Sequence, residues 1–385
     1  METQGCPGYI EPLRSALEAD GAGPVALVQT HISCVLLARE VAWKVKKPLK
    51  LPFLDYGTVD ARRRYCEEEV RLNRRLAPAL YLGVSAVTGT PDAPSLDGPG
   101  PVLDWAVRMR RFPPGALFSE RLANGTLSAS EIDRLATMLA GFHEAAPISV
   151  EPGFGDPALR RRVALETAHA LPPTSGIDDR LRAWMVREAD ALASVWSERK
   201  ARGRVRECHG DLHLDNLLLV DREVTAFDAI EFDPALRWID VVDDMAFVAT
   251  DLLARGRGDF AWRFVSGWLD ATGDHDALRA LRFSMVYRAL VRARVATLRA
   301  GQGQDAARYV RAARQIVEAP DARLLITHGV PGSGKTYLSQ GLLEAAGAVR
   351  FRSDVERKRL FGPGAYEPAH TRQTTRAFWR WPAWR

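Results

Sequence analysis

The run His209-Gly210-Asp211-Leu212-His213-Leu214-Asp215-Asn216 sets an aspartate five residues ahead of an asparagine. A carboxylate in that place can take the proton of an attacking hydroxyl, and a carboxamide oxygen can hold a hard divalent ion. A second acid follows. Leu217-Leu218-Leu219-Val220, the polar turn Asp221-Arg222-Glu223, and Val224-Thr225-Ala226-Phe227 lead to Asp228. Two short apolar runs around a polar turn predict a hairpin, which folds Asp228 back beside Asn216. The chemistry such a set performs is phosphoryl transfer to a hydroxyl. Asp211 is its base, Asn216 and Asp228 are the metal ligands, and ATP with Mg²⁺ is the donor. An acidic surface loop would need neither the hairpin nor the second acid.

This chemistry also needs a strand lysine to hold phosphates and a helical glutamate to orient it. Lys44 and Lys46 alternate onto one face of Val41–Lys46, and Lys46 is taken as the phosphate lysine. Thr58 can cap a helix running to about Ala77, where Pro78 ends it. Val59, Cys66 and Val70 mark its inner face; Glu69 flanks that face and Glu68 points away, so Glu69 is the expected partner of Lys46. Without the catalytic run, both would read as solvated charges. The turn Thr30-His31-Ile32-Ser33 either covers the phosphates or is a plain polar hairpin. Asp215 is either a third acid at the metal or a solvated loop acid. His209 supports the loop rather than forming a zinc site with His213, and Glu231, Asp233, Asp240, Asp243 and Asp244 are caps and loop anchors.

The elements that must position these groups fall into two parts. Residues 1–113 read as strands with one helix: Val25–Val28, Cys34–Leu37, Val41–Lys46, then two more around a Gly/Pro/Asp-rich loop from Gly89 to Pro101, the last being Leu103–Arg111. Residues 114–318 turn helical. Ser130-x-x-Asp133 resembles a capping box, and Ile132, Leu135, Leu139 and Phe142 make an apolar stripe. Further helices are expected over Asp179–Ser197, Asp276–Ala300 and Gln304–Val317. Glu318-Ala319-Pro320-Asp321 then links to a separate unit, residues 319–385.

His209-Gly210-Asp211 through Asn216, with Asp228, resembles the aminoglycoside phosphotransferase-like kinases, and the likeness runs over roughly residues 25–300. It implies an α+β, protein-kinase-like bilobal fold with a strand-rich N-lobe and a helical C-lobe. It also implies a small-molecule hydroxyl as acceptor, and a hinge strand around Met109, Arg110 and Arg111 whose backbone meets adenine. The absence of Gly-x-Gly-x-x-Gly between the first strands leaves a second reading, a nucleotide-binding regulator without chemistry. A protein acceptor is disfavoured, because no activation segment separates Asp228 from the helices.

Gly329-Val330-Pro331-Gly332-Ser333-Gly334-Lys335-Thr336 satisfies Gly-x-x-x-x-Gly-Lys-Thr. A strand at Arg323–Thr327 and a helix from Tyr337 to Ala346, ended by Gly347, are expected around it. In that setting the amides of Gly329, Gly332, Ser333 and Gly334 cradle phosphates, Lys335 reaches the outer ones and Thr336 the magnesium. A following strand, Val349–Arg352, delivers Ser353-Asp354; with Arg357-Lys358 this is similar to P-loop kinases of the gluconate-kinase type. Asp354 then either faces an acceptor hydroxyl or caps a helix. The 31 residues after Asp354 are too few for the rest of an α/β P-loop domain, so this unit is expected to be incomplete. The tail Phe378–Arg385, with three tryptophans, has no helix or strand pattern. The order of the two modules resembles bacterial bifunctional phosphotransferase/ATP-binding proteins.

Bulk properties fit this reading. Lys+Arg of 53 against Asp+Glu of 48 gives a formal charge of only +5, with both signs scattered, which argues against a nucleic-acid or membrane surface. The four cysteines lie far apart and suggest neither a zinc site nor a disulfide framework. With no apolar run near the ~20 residues that span a bilayer and no secretory signal, a cytoplasmic protein is expected.

Overall fold

The computed structural model describes residues 5–51, 54–298, 303–319, 324–330 and 332–361; the tail from 378 to 385 and the linker residues Pro320 and Asp321 lie outside these. The first lobe is built on a six-stranded antiparallel sheet, ordered β1-β2-β3-β8-β6-β7. Its members are β1 (Ala26–Gln29), β2 (Ser33–Leu37), β3 (Val41–Lys46), β6 (Tyr81–Thr90), β7 (Ala93–Leu96) and β8 (Val102–Arg110), and the short pair β4 (Lys50–Leu51) and β5 (Leu54–Asp55) stands beside it. Strand alternation sorts the side chains. Cys34, Leu36, Val45, Val87 and Ala106 face α1 (Ile10–Leu17) and bury Ile10, Leu13 and Leu17. Ala42, Val107 and Met109 face the other way, against Cys66 and Val70 of α2 (Val59–Asn73). Lys44 and Lys46 share that second face. Thr58 caps α2 through the amide of Ala61, at 3.1 Å.

Three features of this lobe depart from expectation. Helix α1 and strand β7 were not anticipated, the latter lying within the Gly/Pro-rich segment. Cys6 and Cys34 are bonded, with Cα atoms 6.0 Å apart: α1 brings the chain start onto the sheet face that carries Cys34, a proximity that sequence separation conceals.

The second lobe is helical. It contains α3 (Phe118–Ala123), α4 (Ala129–Ala145), α5 (Pro157–His169), α6 (Asp179–Ala191), α7 (Ala193–Ala201), α8 (Pro234–Arg237), α9 (Val241–Ala254), α10 (Gly258–Thr272), α11 (Leu278–Leu298) and α12 (Gly303–Glu318). The capping box of α4 is Ser128 with Glu131, not Ser130 with Asp133; both reciprocal bonds are made two residues earlier in the chain, and Ser130 already lies inside the helix. The helix expected over Asp179–Ser197 is two, α6 and α7, bent at the buried Leu192. Helix α9 is buried from Val241 to Leu252 and forms the centre of this lobe. Arg199, without exposed surface, is held there by paired bonds to Asp240 and Asp274.

Two short strand pairs frame the expected catalytic run: β9 (Val205–Glu207) with β12 (Trp238–Asp240), and β10 (Leu217–Val220) with β11 (Glu223–Ala226). The second is the predicted hairpin. Asp221 and Arg222 both have positive φ, as a two-residue turn of this kind requires.

The third unit keeps its helices but not its strands. After the glycine loop come α13 (Lys335–Ala346), closed by Gly347 in the left-handed region, and α14 (Ser353–Phe361). Of the strands expected at Arg323–Thr327 and Val349–Arg352, the described residues 324–327 and 349–352 are not in a ladder. Leu324 and Ile326 are 87% and 84% exposed. A first strand of a parallel sheet is stable only between neighbours, and among the described residues none pairs with it. The unit rests instead on α10: Arg263 bridges Asp133 and Glu344, each within 2.7 Å, and a Cβ at Gly347 would lie 2.8 Å from the Trp262 ring nitrogen.

Candidate active site

Helix α9 fixes the catalytic run from beneath. Asp244 accepts the amides of His209 and Gly210, at 3.0 and 2.9 Å, and Asp251 accepts that of Leu214 at 2.8 Å. The two aspartates are seven residues apart, two helical turns, and so share one face. Asp244 also meets the His143 Nε2, at 3.2 Å, while Trp268 donates to His143 Nδ1. With both its nitrogens engaged, His143 is a support, and its cluster with Cys208 and Asp244 reads as packing rather than a metal centre. Gly210 has φ 88°, and a Cβ there would sit 2.7 Å from the carbonyl oxygen of Leu236, so the turn before Asp211 admits only glycine. His209 is buried and lies 2.9 Å from the carbonyl of Phe227, the supporting role expected of it.

The hairpin does bring the metal-ligand candidates together. Leu217 pairs with Ala226, and the Phe227 amide donates to the Asn216 carbonyl at 3.0 Å, setting Asp228 next to Asn216. Asn216 Nδ2 donates to the Asp211 carbonyl at 2.9 Å, which assigns its other side-chain atom as the amide oxygen. The Asp228 side chain is 41% exposed, and its backbone has φ 64° and donates to the Tyr81 hydroxyl at 3.1 Å.

Glu69 is buried and receives both lysines, Lys44 at 2.9 Å and Lys46 at 2.6 Å, while Glu68 turns outward to Arg71 and Arg237. The two lysines are not equivalent. Lys46 has no exposed surface; Glu231 closes over it, itself bonded to the Tyr56 hydroxyl. Lys44 retains 12% exposure and ion-pairs with Asp228. Lys46, the expected phosphate lysine, is thus the sealed one and Lys44 the one with open surface; spacing placed both on one face, but Tyr56 and Glu231 decide which is sealed. Burial works against the Lys44 ammonium, yet Asp228 and Glu69 outweigh it and raise its pKa. Burial likewise opposes ionised Glu69, but the two lysines hold its pKa low, at about 2.

His213 lies between two acids, its Nε2 3.3 Å from Asp211 and its Nδ1 3.4 Å from Asp215. Burial would lower its pKa; Asp211 and Asp215 overcome this and raise it to about 9. Burial would raise the Asp211 pKa, but His213, Arg292 and His209 together hold it well below the usual carboxylate range. Asp211 is thus a 35% exposed carboxylate beside His213, whose Nδ1 also accepts the Asp215 amide at 3.2 Å. Asp215 is tied to His213, Arg255 and Arg292, away from the pair Asn216 and Asp228.

The hinge amides of Arg110 and Arg111 are spent on the carbonyls of Leu80 and Glu40, at 2.8 and 2.7 Å. The next amide, that of Phe112, lies two residues past the end of β8, before Pro113 and Pro114. Phe112 packs edge-on to Phe227, with ring centres 5.4 Å apart.

In the third unit Gly329, Gly332 and Gly334 all adopt positive φ, as a phosphate-binding loop demands. Lys335 folds back onto the carbonyls of Gly329 and Val330, each at 2.8 Å, and lies 3.5 Å from Ser333 Oγ. Thr336 follows in the exposed first turn of α13. Asp354 is exposed in the first turn of α14 and pairs with Arg352 at 3.1 Å.

Comparison with known proteins agrees with this layout. The phosphotransferase enzyme family matches residues 59–281, and an AAA domain matches residues 324–384. An uncharacterised protein of Mycobacterium tuberculosis, and another of Mycobacterium bovis, are each 33% identical over 344 residues, covering 86% of this chain and 68% of the relative. Among solved structures, a choline/ethanolamine kinase family protein from Mesorhizobium loti superposes with a TM-score of 0.51 at 13% identity, covering 88% of this chain and all of that one. That likeness gives the fold: a kinase-like pair of lobes.

Proposed function

Because the chain belongs to the phosphotransferase enzyme family, we propose that its first two lobes transfer the γ-phosphate of ATP, with Mg²⁺, to a hydroxyl of a small molecule. The observation that carries this reading is Lys44, held between buried Glu69 and exposed Asp228, the acid that the β10–β11 hairpin sets next to Asn216. In the transfer, the acceptor oxygen forms a bond to the γ-phosphorus, the bond from that phosphorus to the β,γ-bridging oxygen breaks, and the hydroxyl proton passes to the Asp211 carboxylate. The products are ADP and a phosphate monoester. Lys44 holds phosphate oxygens, Glu69 fixes Lys44, and the Phe112 amide is the donor for adenine.

The oxygen donors of Asn216 and Asp228 suit Mg²⁺, which takes few protein ligands and fills the rest from phosphates and water. Its contribution when bound is to neutralise charge on the β- and γ-phosphates. In the third unit, Gly329, Gly332, Ser333, Gly334, Lys335 and Thr336 form a second nucleotide-binding loop. Asp354, paired on the surface with Arg352, is better read as a first-turn helix residue than as an acceptor ligand there.

A regulator that binds nucleotide without chemistry is the second reading, favoured by the glycine-free turn from Thr30 to Ser33. ADP release measured over aminoglycosides, sugars, amino alcohols, nucleosides and hydroxy acids separates the two. Stimulation by one class, lost on chelating Mg²⁺ and in Asp228→Ala, supports the enzyme; no acceptor-stimulated release from any class supports the regulator.

A further inference from the structure

Beside Asp211 opens a cleft of about 420 Å³, lined by Asp215, Arg255, Arg292, Asp305, Arg308 and Tyr309 against the ends of α11 and α12. Nothing in the transfer chemistry requires three arginines there. Its acids are already engaged: Asp305 pairs with Arg308 at 3.1 Å. Asp251, behind the cleft, accepts the Leu214 amide, the Tyr309 hydroxyl at 2.5 Å and Arg255 at 3.1 Å. Asp215 takes His213, Arg255 and Arg292.

The donors are not engaged to the same degree. A guanidinium has several N–H groups and no acceptor. Among the described residues Arg292 makes only long polar contacts, 3.4 Å to Tyr309 and 3.5 Å to Asp215, and lies over the Tyr309 ring. Arg308 meets Asp305 at 3.1 Å, and its buried Nε has no hydrogen-bond partner among the described residues. The cleft therefore holds a surplus of charged donors. A cationic acceptor would face three guanidiniums with no uncompensated carboxylate to receive it, whereas an oxyanion matches their forked geometry. Asp215 in the lining and Asp211 flank the same imidazole, His213, at 3.4 and 3.3 Å, so a ligand held here lies one side chain away from the base.

Resting on the phosphotransferase reading, we infer that the acceptor is an anionic hydroxyl compound whose carboxylate or phosphate is bound by Arg308 and Arg255, with Arg292 between that group and Asp211.

The test is binding, independent of turnover. The full chain, saturated with Mg²⁺ and a non-hydrolysable ATP analogue, is titrated calorimetrically with D-gluconate, inorganic phosphate, D-glucose and D-glucosamine. Gluconate or phosphate should bind saturably and at least about tenfold more tightly than the neutral and amino sugars; which of the two does so separates a carboxylate from a phosphate ligand. Arg308→Gln should weaken that anion about tenfold or more, with Arg308→Lys intermediate. Thermal melts of both variants confirm that the fold is kept. The inference is overturned if neither anion outbinds glucose, if glucosamine binds best, or if Arg308→Gln leaves anion affinity unchanged. Asp211→Asn separates the two claims. Anion binding with no nucleotide-dependent phosphorylation of any acceptor in the parent or the variant would remove the phosphotransfer reading and leave the anion site; Asp211-dependent phosphorylation of glucosamine would do the reverse.

Discussion

Two lysines on one strand face carry different tasks. Lys46→Met removes the cation that Glu231 and Glu69 enclose, and an uncompensated buried charge costs about 3–5 kcal/mol; denaturant unfolding should register that loss. Lys44→Ala should unfold more nearly like the parent but lower kcat about a hundredfold, as loss of a donor at developing charge does. Equal stability losses in both would contradict the division. Sequence spacing could place the pair but not rank it, since Tyr56 and Glu231 seal Lys46 from opposite ends of the fold. His213 gives a pH signature. Its folded pKa of about 9 stands above the ~6.5 of an unfolded chain, so its stabilisation is full below ~6.5 and is lost as pH rises through about 9. Melting temperature should therefore fall between these limits, and His213→Asn should flatten that fall. The motif spacing makes His213 visible, but its charge depends on Asp211 and Asp215 closing on it from both sides.

At the scale of elements, the site depends on how α9 and α2 grip the catalytic run. Asp244→Ala would orphan the buried amides of His209 and Gly210, each unsatisfied group costing about 1–3 kcal/mol, and should lower turnover along with stability. Thr58→Ala removes the cap of α2 and should cost about 1 kcal/mol, with a smaller effect on turnover because Lys46 still holds Glu69. The hairpin of β10 and β11 was legible because its turn is polar and its arms apolar. The cap of α2 was legible because Thr58 is followed by a helical stripe. Less was readable in α9: it is apolar on every side, so periodicity could not single out Asp251, and only the seven-residue interval from Asp244 signals a shared role. The α4 capping box was misplaced because Ser128 and Ser130 compete at the same boundary, and only the backbone geometry at Ser128 separates them.

Across the whole molecule, the two kinase-like lobes were foreseen from the order of strands, helices and catalytic run, while the packing of the third unit was not. Its glycine loop and α13 follow from local sequence, but a parallel sheet needs partners that chain order alone does not supply. With Leu324 and Ile326 exposed, the unit should bind nucleotide weakly. Calorimetry with ATP and Mg²⁺ should show one stronger site, weakened by Asp228→Ala, and any heat removed by Lys335→Ala should belong to a second, weaker one. The account as a whole stands on Asp211 as the group that takes the acceptor proton. The most direct measurement is single-turnover transfer of labelled γ-phosphate from ATP to an acceptor, in the parent and in Asp211→Asn, both saturated with Mg²⁺ and nucleotide. The account predicts a rate lower by about 10²–10⁴ in the variant, with ATP affinity nearly unchanged; transfer at the parental rate would contradict it.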